Sequence, residues 1–420
     1  MGSVNRDKVS GLDAGIFSGR LQDLRVRSLL VEVAGWLSVL FSIGAVLGCA
    51  YALLAAWIAG QFGRTAIMPA ANYPAVTILK PLYGAEPHLY SRLAGFCAQD
   101  YPSPVQIVFG VADPADPAIA TVRDLIAAFP ESDLKLVICS RQHGANRKVS
   151  NLINMYAEAR HEVLVISDSD IVVDRDYLRT IAASLGQPGV GIVTLLYGGI
   201  PVAGLWAEFA AAAIDYDFLP NVLVGLRLGL AKPCFGSTIA IHRSTLAAVG
   251  GLEAVADYLA DDYALGALVR IAGLTVAIPS ATVMHVCTER SLRELLVHES
   301  RWARTLRAID PPGYAGLAIT HALPLAILGA VLGGMTWASV ALIAAALACR
   351  YILQLAIDLI LHRQRRLSWR GPMRDALSFA IYVASFFGNA VQWHGHRYRL
   401  RSATRIGEPD QVELRRGSPN

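Results

Sequence analysis

Val163-Leu164-Val165-Ile166-Ser167-Asp168-Ser169-Asp170 is the stretch that decides the fold. A β-branched and aliphatic run that ends at once in Asp-Ser-Asp predicts a strand with two carboxylates at its carboxyl end. In open α/β sheets ligands sit at that end of the strands. One Asp after a strand is equally a turn former or helix cap. Two alternating carboxylates also suit an oxygen-seeking divalent cation held together with substrate phosphates. A second run, Val105–Val111, leads into Ala112-Asp113-Pro114-Ala115-Asp116-Pro117 and repeats the pattern. Further runs at 76–79, 134–139 and 190–196 alternate with helical stretches at 117–129 and 147–159. Such alternation predicts an α/β domain over 74–312, with a mostly parallel sheet covered on both faces.

Outside that domain the composition changes. The 420 residues are 54% hydrophobic and 17% charged, and the mean hydropathy is +0.43. Soluble proteins average about 45–50% apolar and about 25% charged. The excess lies at the two ends. After a tail at 1–28, residues 29–59 carry Glu32 as their one charge, which predicts a transmembrane anchor. Residues 315–361 accommodate two further crossings with a turn near Gly333, and 376–393 form a last apolar stretch of marginal spanning length, crossing or interfacial. Arg350 and Asp358, eight positions apart, share a helix face, either as an ion pair or as a polar path. Between the spans, 362–374 holds Arg363, Arg365, Arg366, Arg370 and Arg374, a cytoplasmic signature. Arg20, Arg25 and Arg27 at the other end pull the counting rule the opposite way. A basic tail follows at 394–420. The net charge of +4, without aromatic-interleaved basic runs, excludes a nucleic-acid partner. Six scattered cysteines have neither zinc nor disulfide spacing, which fits a reducing compartment.

Two more motifs carry chemistry. Tyr258-Leu259-Ala260-Asp261-Asp262-Tyr263 precedes a helical stretch at 264–271. Carboxylates at a helix start are favoured by its dipole. Adjacent acids also repel, which raises proton affinity toward the range of a general base. The second motif is an amphipathic basic helix at 290–309, with Arg301, Trp302, Arg304 and Arg307, just before the spans. Its arginines suit a departing diphosphate or lipid headgroups, and Trp302 suits the site or the membrane interface. No serine nucleophile with a supporting His–Asp set is evident, Cys234 reads as core, and His285 reads as structural or site-lining.

In order, Asp116-Pro117-Ala118, Asp168-Ser169-Asp170, Asp261-Asp262-Tyr263 and His298-Glu299-Ser300-Arg301-Trp302 resemble a membrane-anchored family-2/21-like glycosyltransferase of the ceramide glucosyltransferase type. The resemblance covers about 76–302 together with the membrane segments. The family opens the last motif with Gln or Arg, where this chain has His298. Leu79-Lys80-Pro81-Leu82-x-Gly84-x-Glu86, His143-Gly144-Ala145-Asn146-Arg147-Lys148-Val149-Ser150-Asn151 and Lys232-Pro233-Cys234-Phe235-Gly236 look like the bacterial hopanoid-biosynthesis subgroup, as does Trp393-His394-Gly395-His396-Arg397-Tyr398-Arg399-Leu400.

The resemblance implies a GT-A-like fold and inverting transfer from a UDP-sugar to a lipid hydroxyl at the cytoplasmic face of the inner membrane, with Mg²⁺ or Mn²⁺. In the subgroup the donor is UDP-N-acetylglucosamine and the acceptor a hopanoid such as bacteriohopanetetrol. It implies that Asp113, Asp116 and Lys148 meet the nucleotide, while Asp168 and Asp170 hold metal and diphosphate. Asp262 is then the base, with Asp261 in support, and Arg301, Trp302 and His298 lie at the diphosphate and acceptor. The competing expectations are a ceramide or diacylglycerol acceptor, a processive polysaccharide synthase, and a non-catalytic membrane scaffold or transporter subunit whose acids are only caps.

Overall fold

Period-two burial builds the centre of the molecule. In the computed structural model, which describes residues 7–62, 70–363, 370–393, 396–399 and 405–406, alternate residues of each central strand face opposite cores. Val76, Ile78, Ile107, Phe109, Val163 and Val165 face one core, and Leu79, Val108, Leu164 and Ile166 face the other. Strands buried on both faces read as continuous apolar runs, which is why they stand out in the sequence.

The strands are β1 (Val76–Pro81), β2 (Val105–Val111), β3 (Asp133–Ile138), β4 (Val163–Ile166), β5 (Ile171–Val172), β6 (Val190–Val193), β7 (Leu196–Pro201), β8 (Ile239–His242), β9 (Thr275–Ala277) and β10 (Thr282–Cys287). Among the described residues the main sheet has seven strands in the order β3-β2-β1-β4-β8-β6-β9. The half from β3 to β4 is parallel, β8 is antiparallel to both its neighbours, and β9 is parallel to β6. A second sheet, β5-β10-β7, stands beside it.

The helices that shape the site are α1 (Leu89–Cys97), α2 (Ala118–Ala128), α3 (Arg147–Tyr156), α4 (Tyr177–Leu185), α5 (Asp261–Ile271), α6 (Leu292–Ile309) and α7 (Gly371–Ser385). The first, second and fourth cover one face of the main sheet, and α3 and α5 the other. Gly110 lets α3 lie close, because a Cβ there would meet the Met155 side chain at 2.3 Å. Side chains fix the helix starts: Asn146 accepts the Val149 N–H at 3.1 Å, and Ser291 accepts that of Glu294 at 3.2 Å.

Three sequence expectations need correction. The run at 190–196 is not one strand but two, β6 and β7, in different sheets. The break falls at Thr194, whose hydroxyl bonds the Phe235 N–H at 2.9 Å and carbonyl at 3.1 Å, so the chain leaves one ladder for another. The stretch at 376–393 is not a spanning helix. Helix α7 ends at Ser385, Gly388 turns the chain at φ +98°, and residues from Ala390 form β11 (Ala390–Trp393). The tail begins with structure of its own, since β12 (His396–Arg399) pairs antiparallel with β11 and residues 405–406 return to Tyr258 and Asp257. Arg365, Arg366 and the remainder of 394–420 lie outside the described residues.

The contact pattern divides the chain into two units, 54–317 with 352–420, described above, and 1–53 with 318–351. In the latter, the helix Asp7–Phe62 meets Ala322–Gly333 through small residues. A Cβ on Gly48 would fall 2.4 Å from the Ile319 carbonyl, and the Ser38 hydroxyl donates to the Gly329 carbonyl at 2.7 Å. Close backbone approach of this kind is how helices associate in lipid, where apolar side chains gain nothing by leaving the tails. By length and composition, 25–62, Leu205–Arg227 and Trp337–Ile360 are long and apolar enough to cross a bilayer, and 311–333 qualifies as a pair bent by 68°. The Leu205–Arg227 segment is not among the sequence expectations. It packs against β7, β10 and α6, and the Tyr216 hydroxyl there donates to Asp358 at 2.7 Å.

Candidate active site

Gly236, in the loop before β8, marks where the charged ends converge. A Cβ at this position would lie 2.9 Å from Asp168 Oδ2, 3.1 Å from Lys148 Nζ and 3.4 Å from Asp262 Oδ2. Its N–H donates to Asp262 Oδ2 at 2.8 Å, and the other oxygen of Asp262 accepts the Tyr263 N–H at 2.7 Å. The Asp262 carboxylate is thus fixed at the start of α5. Burial and the neighbouring charge of Asp261 push it up to about 6.

Lys148, in the first turn of α3, lies 2.6 Å from Asp168 Oδ1 and 3.6 Å from Asp261 Oδ2. Burial opposes its charge, but the surrounding Asp168, Asp261 and Asp262 hold it well above the ordinary lysine value. Asp168 itself is raised by burial in spite of that partner. Asn146 joins the two elements: while capping α3 it donates to the Tyr258 carbonyl at 2.7 Å and to Asp261 Oδ1 at 3.3 Å. Sequence reading assigns Asn146 no role, although an Asn just ahead of a helical run is a cap signal.

Asp170 faces a second group. Its Oδ2 lies 3.1 Å from His285 Nε2, and its Oδ1 is buried with no hydrogen-bond partner. Burial opposes both charges, yet the pair holds Asp170 below and His285 well above their usual ranges. His285 stacks in an aromatic group with Tyr197, His298 and Trp302, at centroid distances of 4.6 to 6.5 Å. The ring of His298 lies 2.6 Å from Glu289 Oε1, and burial holds it below the ordinary value. The Arg301 guanidinium sits 5.9 Å over the Trp393 ring, and among the described residues no carboxylate lies within ion-pair distance of it. Its charge is felt by Asp168, Asp170 and Asp262, and burial lowers its proton affinity.

Asp113 and Asp116 stand apart with local duties. Asp116 takes the Gly84 N–H on both oxygens, at 2.9 and 3.1 Å, and the Ala118 N–H at 2.8 Å. Asp113 accepts the Ala115 N–H at 2.8 Å from an exposed turn. The apolar side of α6 is likewise divided: Leu295 and Trp302 pack inward, while Leu292 and Leu306 are exposed.

Among the described residues no three His, Cys, Asp or Glu side chains converge as a ready cation cage. The lone Asp170 oxygen beside Asp168 is nevertheless an orphaned hard acceptor. A divalent cation that takes its remaining ligands from a diphosphate fits such a donor set. The chemistry on hand is therefore a high-affinity proton acceptor, two acidic oxygens suited to a cation, and buried positive charge suited to an anion.

Residues 40–406 match the family described as glycosyl transferase family 21. Over 246 residues the chain is 26% identical to ceramide glucosyltransferase 1 of Caenorhabditis elegans, which covers 58% of this chain and 52% of that protein. It is 33% identical over 124 residues to the ceramide glucosyltransferase of Candida albicans, covering 27% and 23%. The chain thus spans about half the length of the first of these relatives. Among solved structures it is similar to the mannosyltransferase PcManGT from Pyrobaculum calidifontis, in complex with GDP-Man and Mn²⁺. The identity there is 21%, the coverage 84% and 97%, and the TM-score 0.49.

Proposed function

Because the chain belongs to glycosyl transferase family 21, we propose that it is an inverting hexosyltransferase of GT-A type that moves a sugar from a UDP-sugar to a hydroxyl of a membrane lipid. The observation that carries this reading is Asp262: a buried carboxylate pushed up to about 6, oriented by two backbone N–H groups and set beside Lys148 and Asp168. A general base needs that proton affinity, and a fixed direction of approach to the acceptor hydroxyl. Asp261 sustains the affinity by its charge and is itself steadied by Asn146 and Lys148.

The donor is assigned to the cations. Lys148 and Arg301 bind the diphosphate and stabilise the charge that gathers on it as the glycosidic bond breaks. Asp168 and Asp170 would hold Mg²⁺ or Mn²⁺, which when bound supplies Lewis-acid stabilisation of the same leaving group. Asp113 and Asp116 are assigned to the nucleoside side, Asp116 through the Gly84 turn that it holds. The acceptor reaches Asp262 past Trp302 and His298, with the apolar helices keeping its tail in the bilayer. Exposing that tail would cost about 25 cal/mol per Å². Catalysis is assigned to the cytoplasmic face, where UDP-sugars are made.

N-acetylglucosamine as donor sugar and a hopanoid as acceptor are supported by the stretches 79–86, 143–151 and 232–236. Ceramide glucosylation is the second reading, favoured by the names of the relatives. The test is incubation of the full chain in lipid nanodiscs with UDP-N-acetylglucosamine or UDP-glucose and with bacteriohopanetetrol or ceramide, followed by mass spectrometry of the lipids. A hexosaminyl-hopanoid that disappears on chelation and returns with Mn²⁺ is expected. Glucosylceramide alone selects the second reading. No transfer to either lipid, or transfer indifferent to chelator, overturns the acceptor or the metal assignment respectively.

A further inference from the structure

The turn that carries Asp168 and Asp170 is gripped from behind by side chains to which the proposed chemistry gives no part. Lys80, fully buried at the end of β1 and 3.9 Å over the Phe96 ring, donates to the Asp168 carbonyl and lies 3.4 Å from the Ser167 hydroxyl. Arg92, 3% exposed on α1, donates through Nε to the Ser169 carbonyl at 3.1 Å, while its other nitrogens hold the Pro87 carbonyl and Glu86. Glu86 closes the ring by accepting the Ser169 hydroxyl at 2.6 Å. Two consecutive carbonyls and the intervening hydroxyl are therefore all taken.

Burying a cation is costly unless it is well bonded. Here a buried lysine Nζ and a buried guanidinium are both directed at the main chain of a single turn. A plain surface turn needs no such arrangement. We infer that Lys80, Arg92 and Glu86 are positioning residues that hold the 168–170 turn in the one geometry in which Asp168 and Asp170 meet a diphosphate-bound cation. The inference rests on the metal assignment made above. Outer partners that orient ligands commonly matter 10- to 100-fold in metal affinity, and the effect here is placed at the lower end because three side chains share the work.

The test measures binding and needs no turnover. Mn²⁺ affinity of the purified full chain in nanodiscs, in the presence of UDP, is read by electron paramagnetic resonance for the unaltered chain and for Ser169→Ala, Glu86→Gln, the double variant and Ser169→Thr. Ser169→Ala and Glu86→Gln should each weaken Mn²⁺ binding about 10-fold. The double variant should be little worse than either, since both act on one contact, Ser169→Ala by removing its donor and Glu86→Gln by replacing a charged acceptor with a neutral amide oxygen. Ser169→Thr should restore affinity, and thermal unfolding of the restored and the weakened variants should coincide. Mn²⁺ affinity unchanged in the single variants overturns the inference while leaving the metal assignment intact. Absence of Mn²⁺ binding by the unaltered chain with UDP overturns both.

Discussion

Asp262→Asn keeps the shape of the side chain and one of the two N–H bonds it accepts from Gly236 and Tyr263, but removes the proton acceptor. The variant should retain UDP-sugar binding and lose transfer by roughly 10²-fold or more. Asp261→Asn should lose less, because its part is to raise its neighbour. The carboxylate form of Asp262 is the active one, so transfer should decline as pH falls through about 6. In Asp261→Asn, where one source of repulsion is gone, that limb should move to lower pH. Single-turnover rates across pH 5–8 check both, and an unmoved limb removes Asp261 from the mechanism. Gly236→Ala tests the convergence point: its methyl would intrude within 3.4 Å of Asp168, Lys148 and Asp262, so donor affinity should fall about 10-fold or more with the fold intact. At this scale the sequence is partly legible. Acids at strand and helix ends announce themselves, because nothing apolar explains them. Gly236 does not, and His285 reads either as core or as site lining. A glycine's use lies in what surrounds it in space, and His285 sits in a strand whose alternation any core residue would satisfy.

Helix α6 carries Arg301 and Trp302 on one side and is tied to α7 on another. Arg374 and Glu299 meet bidentately at 2.9 and 2.6 Å, both nearly buried. Removing one partner leaves a buried charge, so Arg374→Met should destabilise the chain by roughly 3–5 kcal/mol, and adding Glu299→Leu should recover most of it. Urea unfolding of the two variants measures the difference, and an additive double variant refutes the pairing. This tie also explains why the sequence misleads at 376–393. Part of the apolar side of α7 packs on α6 and on the segment 311–316, as in the Tyr314, Tyr382 and Phe386 contacts, while Val383 and Phe387 stay exposed. Hydropathy counts apolar residues and not what they touch. The break of 190–196 at Thr194 escapes for a similar reason, since its hydroxyl partner is 41 residues away.

For the molecule as a whole, the proposed use of a UDP-sugar predicts that the α/β domain faces the compartment where UDP-sugars are made. Arg363 bonds Asp215 and Arg370 bonds Glu208, so both described ends of the arginine-rich segment are fastened to that domain. In sealed, oriented membrane vesicles of a cysteine-free background, Glu131→Cys should react with an impermeant maleimide only from the cytoplasmic side. Labelling from the opposite face would contradict the use of a UDP-sugar. The change from apolar ends to an alternating middle is legible because each segment solves a different solvent problem. The return of the chain at β11 and β12 is not, for its partners are remote. Arg405 bridges to Tyr258, 147 positions earlier, and Tyr398 and Ile406 bury Leu259 two residues before the acidic pair. The loop presenting Asp261 and Asp262 therefore waits for its covering until the ribosome has added those residues. At about 5–20 residues per second this takes roughly 7–30 s. Until then the loop ahead of Asp261 and Asp262 lacks the apolar cover that Tyr398 and Ile406 give Leu259, so the order of the acidic pair depends on a stretch made more than a hundred residues later.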